Sequence, residues 1–201
     1  MAAHRETATC GQAYHTVMAE IPEWVQAARD QWRWRGQKRP PFARQPGAGE
    51  ESVWDYPRPP QLAADHREVI VRWNGLEVAR TRHAIRVLET AHPPSFYLPW
   101  DDVARHLLRP APGSSFCEWK GPACYWSLVD GDRQLPAVGW SYPRPLAQAE
   151  ALSHCVAFYA AALDCEVGGC KVTPQPGGFY GGWITPEVIG PFKGDPGSQG
   201  W

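Results

Sequence analysis

The stretch SFCEWKGPACYW, residues 115–126, sets a thiol, a carboxylate, an indole, an ammonium and a phenol within nine residues, as Cys117, Glu118, Trp119, Lys120 and Tyr125. A thiol brought beside an ammonium, or beside an imidazole such as His92 or His154, is favoured as the thiolate and can act as a nucleophile. An ammonium next to tryptophans and a Gly-Pro turn can anchor an anion or polarise a carbonyl, with Trp119 or Trp126 as a stacking wall. Extended geometry over residues 116–119 puts Cys117 and Trp119 on one face and Glu118 and Lys120 on the other. Thiol and ammonium then meet only if Gly121 and Pro122 turn the chain. The plainer alternatives stay open: Cys117 as a small buried hydrophobe, and Lys120 exposed or paired to a carboxylate such as Glu89.

Other groupings read as structure. Cys165 and Cys170 have four residues between them on an expected hairpin, whereas zinc knuckles have two between their thiols, so no metal or cofactor is expected. Gly113-Ser114 and Asp130-x-Asp132 mimic a phosphate turn and a magnesium pair, but Gly131 at the centre of the acidic triplet suits a hairpin turn. Asp101 and Asp102 open a short helix, where carboxylates cap N–H groups. QWRWRGQKRPP interleaves tryptophan with Arg33, Arg35, Lys38 and Arg39 in the manner of a single-strand nucleic-acid contact, yet acids precede it, and a docking helix with a basic edge is favoured. WDYPRP (residues 54–59) and WSYPRP (residues 140–145) share no flanking similarity. They read as one device used twice, aromatic anchors followed by a rigid exit.

The elements that position these groups follow from pattern. IPEWVQAARDQWRWRG, residues 21–36, has helical periodicity, and residues 40–52 are Pro/Gly/Ser-biased like a linker. Residues 1–50 are thus expected to be an appendage docked by tryptophans, and residues 51–201 the main domain. EVIVRW, LEVART and AIRVLET are strand candidates, with Asn74-Gly75 joining the first two. PSFYLP, GPACYWSLV, QLPAVGWSY, HCVAFYAA and DCEVGGCKVTP continue the β pattern, interrupted by WDDVARHLL and a turn near Ala147. The tail from Pro174 is rich in Gly and Pro but holds Phe179, Tyr180, Trp183, Phe192 and Trp201, so it is expected to wrap onto the body. The fold class expected is α+β, mainly β: a small antiparallel barrel or two-sheet sandwich with a few short helices.

The chain has 201 residues, 11 Trp, 21 Pro, 19 Gly and a net charge of −1. Such a tryptophan surplus points to a core or pocket of aromatic plates. A near-neutral charge disfavours nucleic acid and anionic membranes as partners. A leader pattern and a long apolar run are not evident, so a cytoplasmic location and six thiols are expected.

RVLETAHPPSFYLP, SFCEWKGPACYW, WSYPRP, HCVAFYAAALDC and PQPGGFYGGWITPEVIGPFKGDPGSQGW together resemble the family called domain of unknown function 427, in its longer, actinobacterial-type members. The resemblance implies a small, mainly-β domain of bacterial type. A label of that family is nucleotidyltransferase-like, and it supplies no reaction.

The function expected is that of a soluble small-molecule-binding protein, an enzyme being one form of it, with an aromatic pocket around the CEWKGPACYW segment. The candidate reactive residues are Cys117, Lys120 and Tyr125. The candidate ligand-binding residues are Trp119, Trp126, Trp140, Tyr142, Tyr97 and Tyr159, the ligand being small and anionic. One alternative is a non-catalytic interaction or regulatory module, with the N-terminal helix meeting a partner or forming a homodimer. The other is nucleotide handling.

Overall fold

The computed structural model describes residues 23–198 and 201. Helix α1 (Glu23–Asp30) leads to β1 (Glu51–Ser52), then β2 (Gln61–Asp65), β3 (Val69–Trp73), β4 (Leu76–Thr81), β5 (Ala84–Leu88) and β6 (Ser95–Pro99). The long strands β7 (Leu108–Cys117), β8 (Gly121–Asp130) and β9 (Arg133–Ser141) form a meander. There follow β10 (Cys155–Phe158), β11 (Asp164–Val167), β12 (Cys170–Lys171), β13 (Thr173–Pro174), β14 (Trp183–Ile184) and β15 (Val188–Ile189).

Seven strands make one antiparallel sheet in the order β2-β5-β6-β10-β9-β8-β7, and four make a second in the order β12-β11-β3-β4. The sandwich form of the expected fold is the one observed, since no sheet among the described residues closes into a barrel. Period-two alternation decides what lies between the sheets. Phe96, Leu98, Val156 and Phe158 of the larger sheet meet Val69, Val71 and Val78 of the smaller one. Tyr97 and Ala157, the intervening residues, face the other side of the larger sheet.

The Asn74-Gly75 turn has φ of 50° and 80°, as a two-residue hairpin requires. Gly131 and Asp132 form the β8–β9 turn, and Asp130 pairs with Arg133 across it. Residues 100–108 are not one helix but two 3-10 turns, Trp100–Asp102 and Arg105–Leu107. Neither turn has a side-chain cap: Asp102 accepts a hydrogen bond from Thr81 Oγ1 at 2.5 Å and Asp101 pairs with Arg105. Extended Val103 separates the turns and bridges to Ala79, so no run of unpaired N–H groups forms for the acids to cap.

Helix α1 ends at Asp30, before the periodicity does. Beyond it, Arg35 donates to the carbonyls of Trp32 and Arg29, satisfying acceptors left at the helix end. The tail packs on the body: Trp183 is fully buried and donates to the Phe158 carbonyl, and Trp201 stacks on Phe42 beside Trp54. Phe179, 76% exposed, is the exception. No helix among the described residues is long and apolar enough to cross a membrane.

Candidate functional site

A cavity of about 350 Å³ lies on the outer face of the seven-stranded sheet. Its floor is made by side chains of β5, β6, β8 and β9, its rim by the β7–β8 turn, Trp32 and the tail loop around Phe179. Burying rings on this face leaves a concave apolar site into which a few polar groups project.

Residues 118–120 are the turn between β7 and β8, so the chain reverses one step earlier than Gly121-Pro122 suggested. That reversal places Cys117 and Lys120 in the same cavity. Lys120 Nζ is 3.8 Å from Glu89 Oε2 and 5.9 Å from the Tyr142 ring centre. Arg58 Nε donates to the other Glu89 oxygen at 3.3 Å, while its terminal nitrogens donate to the carbonyls of Trp34 and Thr90. Its guanidinium stacks on Trp32 at 4.0 Å.

Burial would raise the Glu89 carboxyl, but the Lys120 ammonium and the Arg58 guanidinium outweigh it and hold the group below the usual carboxylate range. Burial would lower Lys120, yet the acidic groups beside it, Cys117 and Glu89, hold it above the ordinary lysine value. Burial pushes the Cys117 thiol up, and Lys120 only partly reverses this. At neutral pH, therefore, Cys117 is a thiol and Glu89 carries the counter-charge of Lys120. The Cys117 Sγ lies 3.8 Å from Glu118 Oε2, while Glu118 Oε1 accepts from Trp32 Nε1 at 2.8 Å.

His92 is neutral as well. Desolvation lowers it to about 4 despite the nearby Glu89 charge. Its Nδ1 is 2.9 Å from Gln175 Nε2. The orientation of that amide is fixed, since Gln175 Oε1 accepts from Gly182 N–H at 3.0 Å and Nε2 donates to the Lys193 carbonyl at 2.8 Å. The His92 proton therefore resides on Nε2.

The aromatic wall is interlocked. Trp140 Nε1 donates to Tyr97 OH at 2.9 Å, and the Trp140 ring sits 4.5 Å from that of Tyr159. Burial raises Tyr97 and Tyr159 to about 12 each, so both are neutral phenols. Tyr125 OH and Ser115 Oγ are 2.7 Å apart at the rim.

Of the residues singled out in the sequence, Cys117, Lys120, Tyr125, Trp140, Tyr142, Tyr97 and Tyr159 line this one cavity. Trp126 does not: it follows Tyr125 on β8, so it faces the inter-sheet core, packing on Trp100 and donating to Ser141 Oγ. Trp119 is buried beneath Arg29 in the β7–β8 turn, away from the cavity. His154 is exposed, Cys165 is buried in the core and Cys170 is exposed. Cys117, Cys155, Cys165 and Cys170 are free thiols, but Cys124, expected to be one too, is disulfide-bonded. Arg58, Gln175, Phe179 and Tyr180 were not singled out for the site. The glycine pairs around Phe179 and Tyr180 are the one local signal that could have drawn attention to those two.

Fold and cavity together define a mainly-β, α+β domain with an aromatic chamber on the outer face of its larger sheet. The model of the family described as Domain of unknown function (DUF427), labelled NTP_transf_9, matches residues 61–169, and the chain belongs to that family. None of the curated proteins compared with the chain matches it.

Proposed function

We propose that the protein binds a small molecule that sets an acceptor group, a carboxylate or a carbonyl, on Lys120 and lays an apolar body against the ring wall of Trp140 and Tyr97. The observation that carries this reading is an ammonium in an aromatic cavity whose carboxylate partner stands at 3.8 Å, a contact of charges longer than a hydrogen bond. Apart from its contact with the Cys117 sulfur, its N–H donors remain available to a ligand oxygen in a low-dielectric site, where such a bond is strong. A protonated Cys117 and a protonated Lys120 offer no ready nucleophile at neutral pH, which favours binding over covalent catalysis.

Thermal-shift screening of wild type and Lys120→Met with small carboxylates, carbonyl compounds and amines tests this. A ligand at about one hundred times its Kd adds roughly 2.7 kcal/mol, or about 5–10 °C for a domain of this size. Stabilisation of wild type by carboxylates or carbonyl compounds, lost in Lys120→Met, is expected. Stabilisation equal in the two proteins, or absent from wild type throughout, overturns the reading.

A further inference from the structure

Resting on that reading of the cavity, we propose that its ligand is a small aromatic carboxylate, held by Lys120 and His92 at the polar end and clamped at the mouth by Phe179. Three sets of observations point this way.

The polar end is rich in donors. Lys120 contributes N–H groups, and His92, with its Nδ1 engaged by Gln175, contributes Nε2–H, which has no partner among the described residues. Two donors from different elements suit an acceptor with two oxygens. Around them the cations Arg58, Lys120 and Lys193 outnumber the carboxylates Glu89 and Glu118, so an anion is favoured over a neutral amide.

The apolar end is built almost wholly of rings. Trp140, Tyr97, Tyr142 and Tyr159 present faces and edges within about 4.5–6.2 Å of one another. A planar ring finds offset or edge contacts there that a puckered aliphatic ring of equal area does not. A volume of about 350 Å³ is at the small end for ligand cavities, which fits one or two rings.

The mouth carries an exposed hydrophobe. Phe179 belongs to the run Gly177-Gly178-Phe179-Tyr180-Gly181-Gly182 and lines the cavity while 76% exposed. Downstream of it the loop is pinned: a Cβ on Gly181 would come within 2.1 Å of the Trp140 ring, and Gly182 N–H is held by Gln175. Upstream, Gly177 and Gly178 have φ of 88° and 70°, and nothing approaches the Cβ position of Gly178 within 4 Å. The Phe179 ring touches Tyr180 at 5.1 Å, which in turn touches His92 at 4.7 Å. A ring seated in the mouth covers Phe179 and completes this row of edge contacts.

Isothermal titration of wild type, Phe179→Ala and Lys120→Met with benzoate, phenylacetate, indole-3-acetate, cyclohexanecarboxylate and benzamide tests the proposal. The aryl carboxylates are expected to bind wild type more tightly than cyclohexanecarboxylate or benzamide. Phe179→Ala should weaken them by roughly three- to tenfold, with its melting temperature unchanged because the side chain is exposed. If cyclohexanecarboxylate binds as well as benzoate and Lys120→Met abolishes both, the anion-binding reading stands and the aromatic clamp is overturned. Equal binding of benzamide and benzoate overturns the carboxylate assignment. Aryl carboxylates that bind Phe179→Ala and wild type alike remove Phe179 from the site. If none of these probes binds, the aromatic-carboxylate proposal is overturned, and if the broader thermal-shift screen also finds no ligand, the parent reading falls with it.

Discussion

Residues 54–59 and 140–145 spell nearly the same hexapeptide, WDYPRP and WSYPRP, and the molecule uses the two copies differently. Both bury their Trp and Tyr. In the first copy Trp54 anchors a cluster formed by Trp34, Phe42 and Trp201, and its indole donates to the Pro191 carbonyl. In the second, Trp140 and Tyr142 line the cavity. The arginines diverge most: Arg58 is buried and Arg144 is exposed. Yet both copies converge on the Glu89–Lys120 pair, the first through Arg58 binding Glu89, the second through the Tyr142 ring near Lys120. A stiff aromatic turn is thus a local solution, and what the turn is used for depends on what it packs against.

The largest way to break the comparison is at the arginines. Arg58→Ala leaves the Glu89 carboxylate, the buried Thr90 carbonyl and the half-buried Trp34 carbonyl short of donors, and is expected to lower stability by about 3–5 kcal/mol in urea denaturation. Arg144→Ala, on the surface, is expected to have a clearly smaller effect. Equal losses would mean the two copies are structurally equivalent.

Next in size is the shared pair. Glu89→Gln leaves Lys120 and Arg58 without their common counter-charge and should cost about 1.5–3 kcal/mol, read by the same denaturation. If the copies meet at Glu89, this loss and that of Arg58→Ala will not add in the double mutant.

Acid should expose the same centre. A buried His92 at about 4 binds its proton less readily than the unfolded chain, whose histidines titrate near roughly 6.5. The stability this confers is complete above that upper value and declines as pH falls from there toward 4. The depressed Glu89 carboxyl adds a loss of the same sign, beginning near the unfolded value of about 4.3 and continuing below it. Glu89, Arg58, Lys120 and Lys193 all face His92 electrostatically. His92→Gln should flatten the stability profile across the upper window, and a slope left unchanged would place the titration elsewhere.

The smallest effect separates the tryptophans. Trp54→Phe and Trp140→Phe each remove one indole hydrogen bond, worth about 1 kcal/mol. Only Trp140→Phe is expected to change ligand affinity as well, by calorimetry.

Much of the cavity was legible from residue type. Trp140 and Tyr142 across a hairpin from residues 115–126 and a tail that packs by its rings both follow from local chemistry, whereas Glu89 is one of many carboxylates and nothing local selects it for Lys120. Trp126 could have been assigned to the core by alternation with Tyr125, because neighbours on a strand cannot share a face. Trp119 could not, since its side depends on where the β7–β8 turn falls. Arg58 lay hidden in a Pro-Arg-Pro run that reads as an exit.

The sequence by itself determined the family, the β pattern with its Asn-Gly and Asp-Gly turns, and the presence of one ammonium among many rings, because these rest on composition and short-range geometry. Only the tertiary structure decided that Glu89 from the end of β5, Arg58 from the loop before β2, Gln175 beyond β13 and Lys120 from the β7–β8 turn meet at one point. Their charges and protonation follow from burial and mutual distance, and neither quantity exists until the sheet has brought distant segments together.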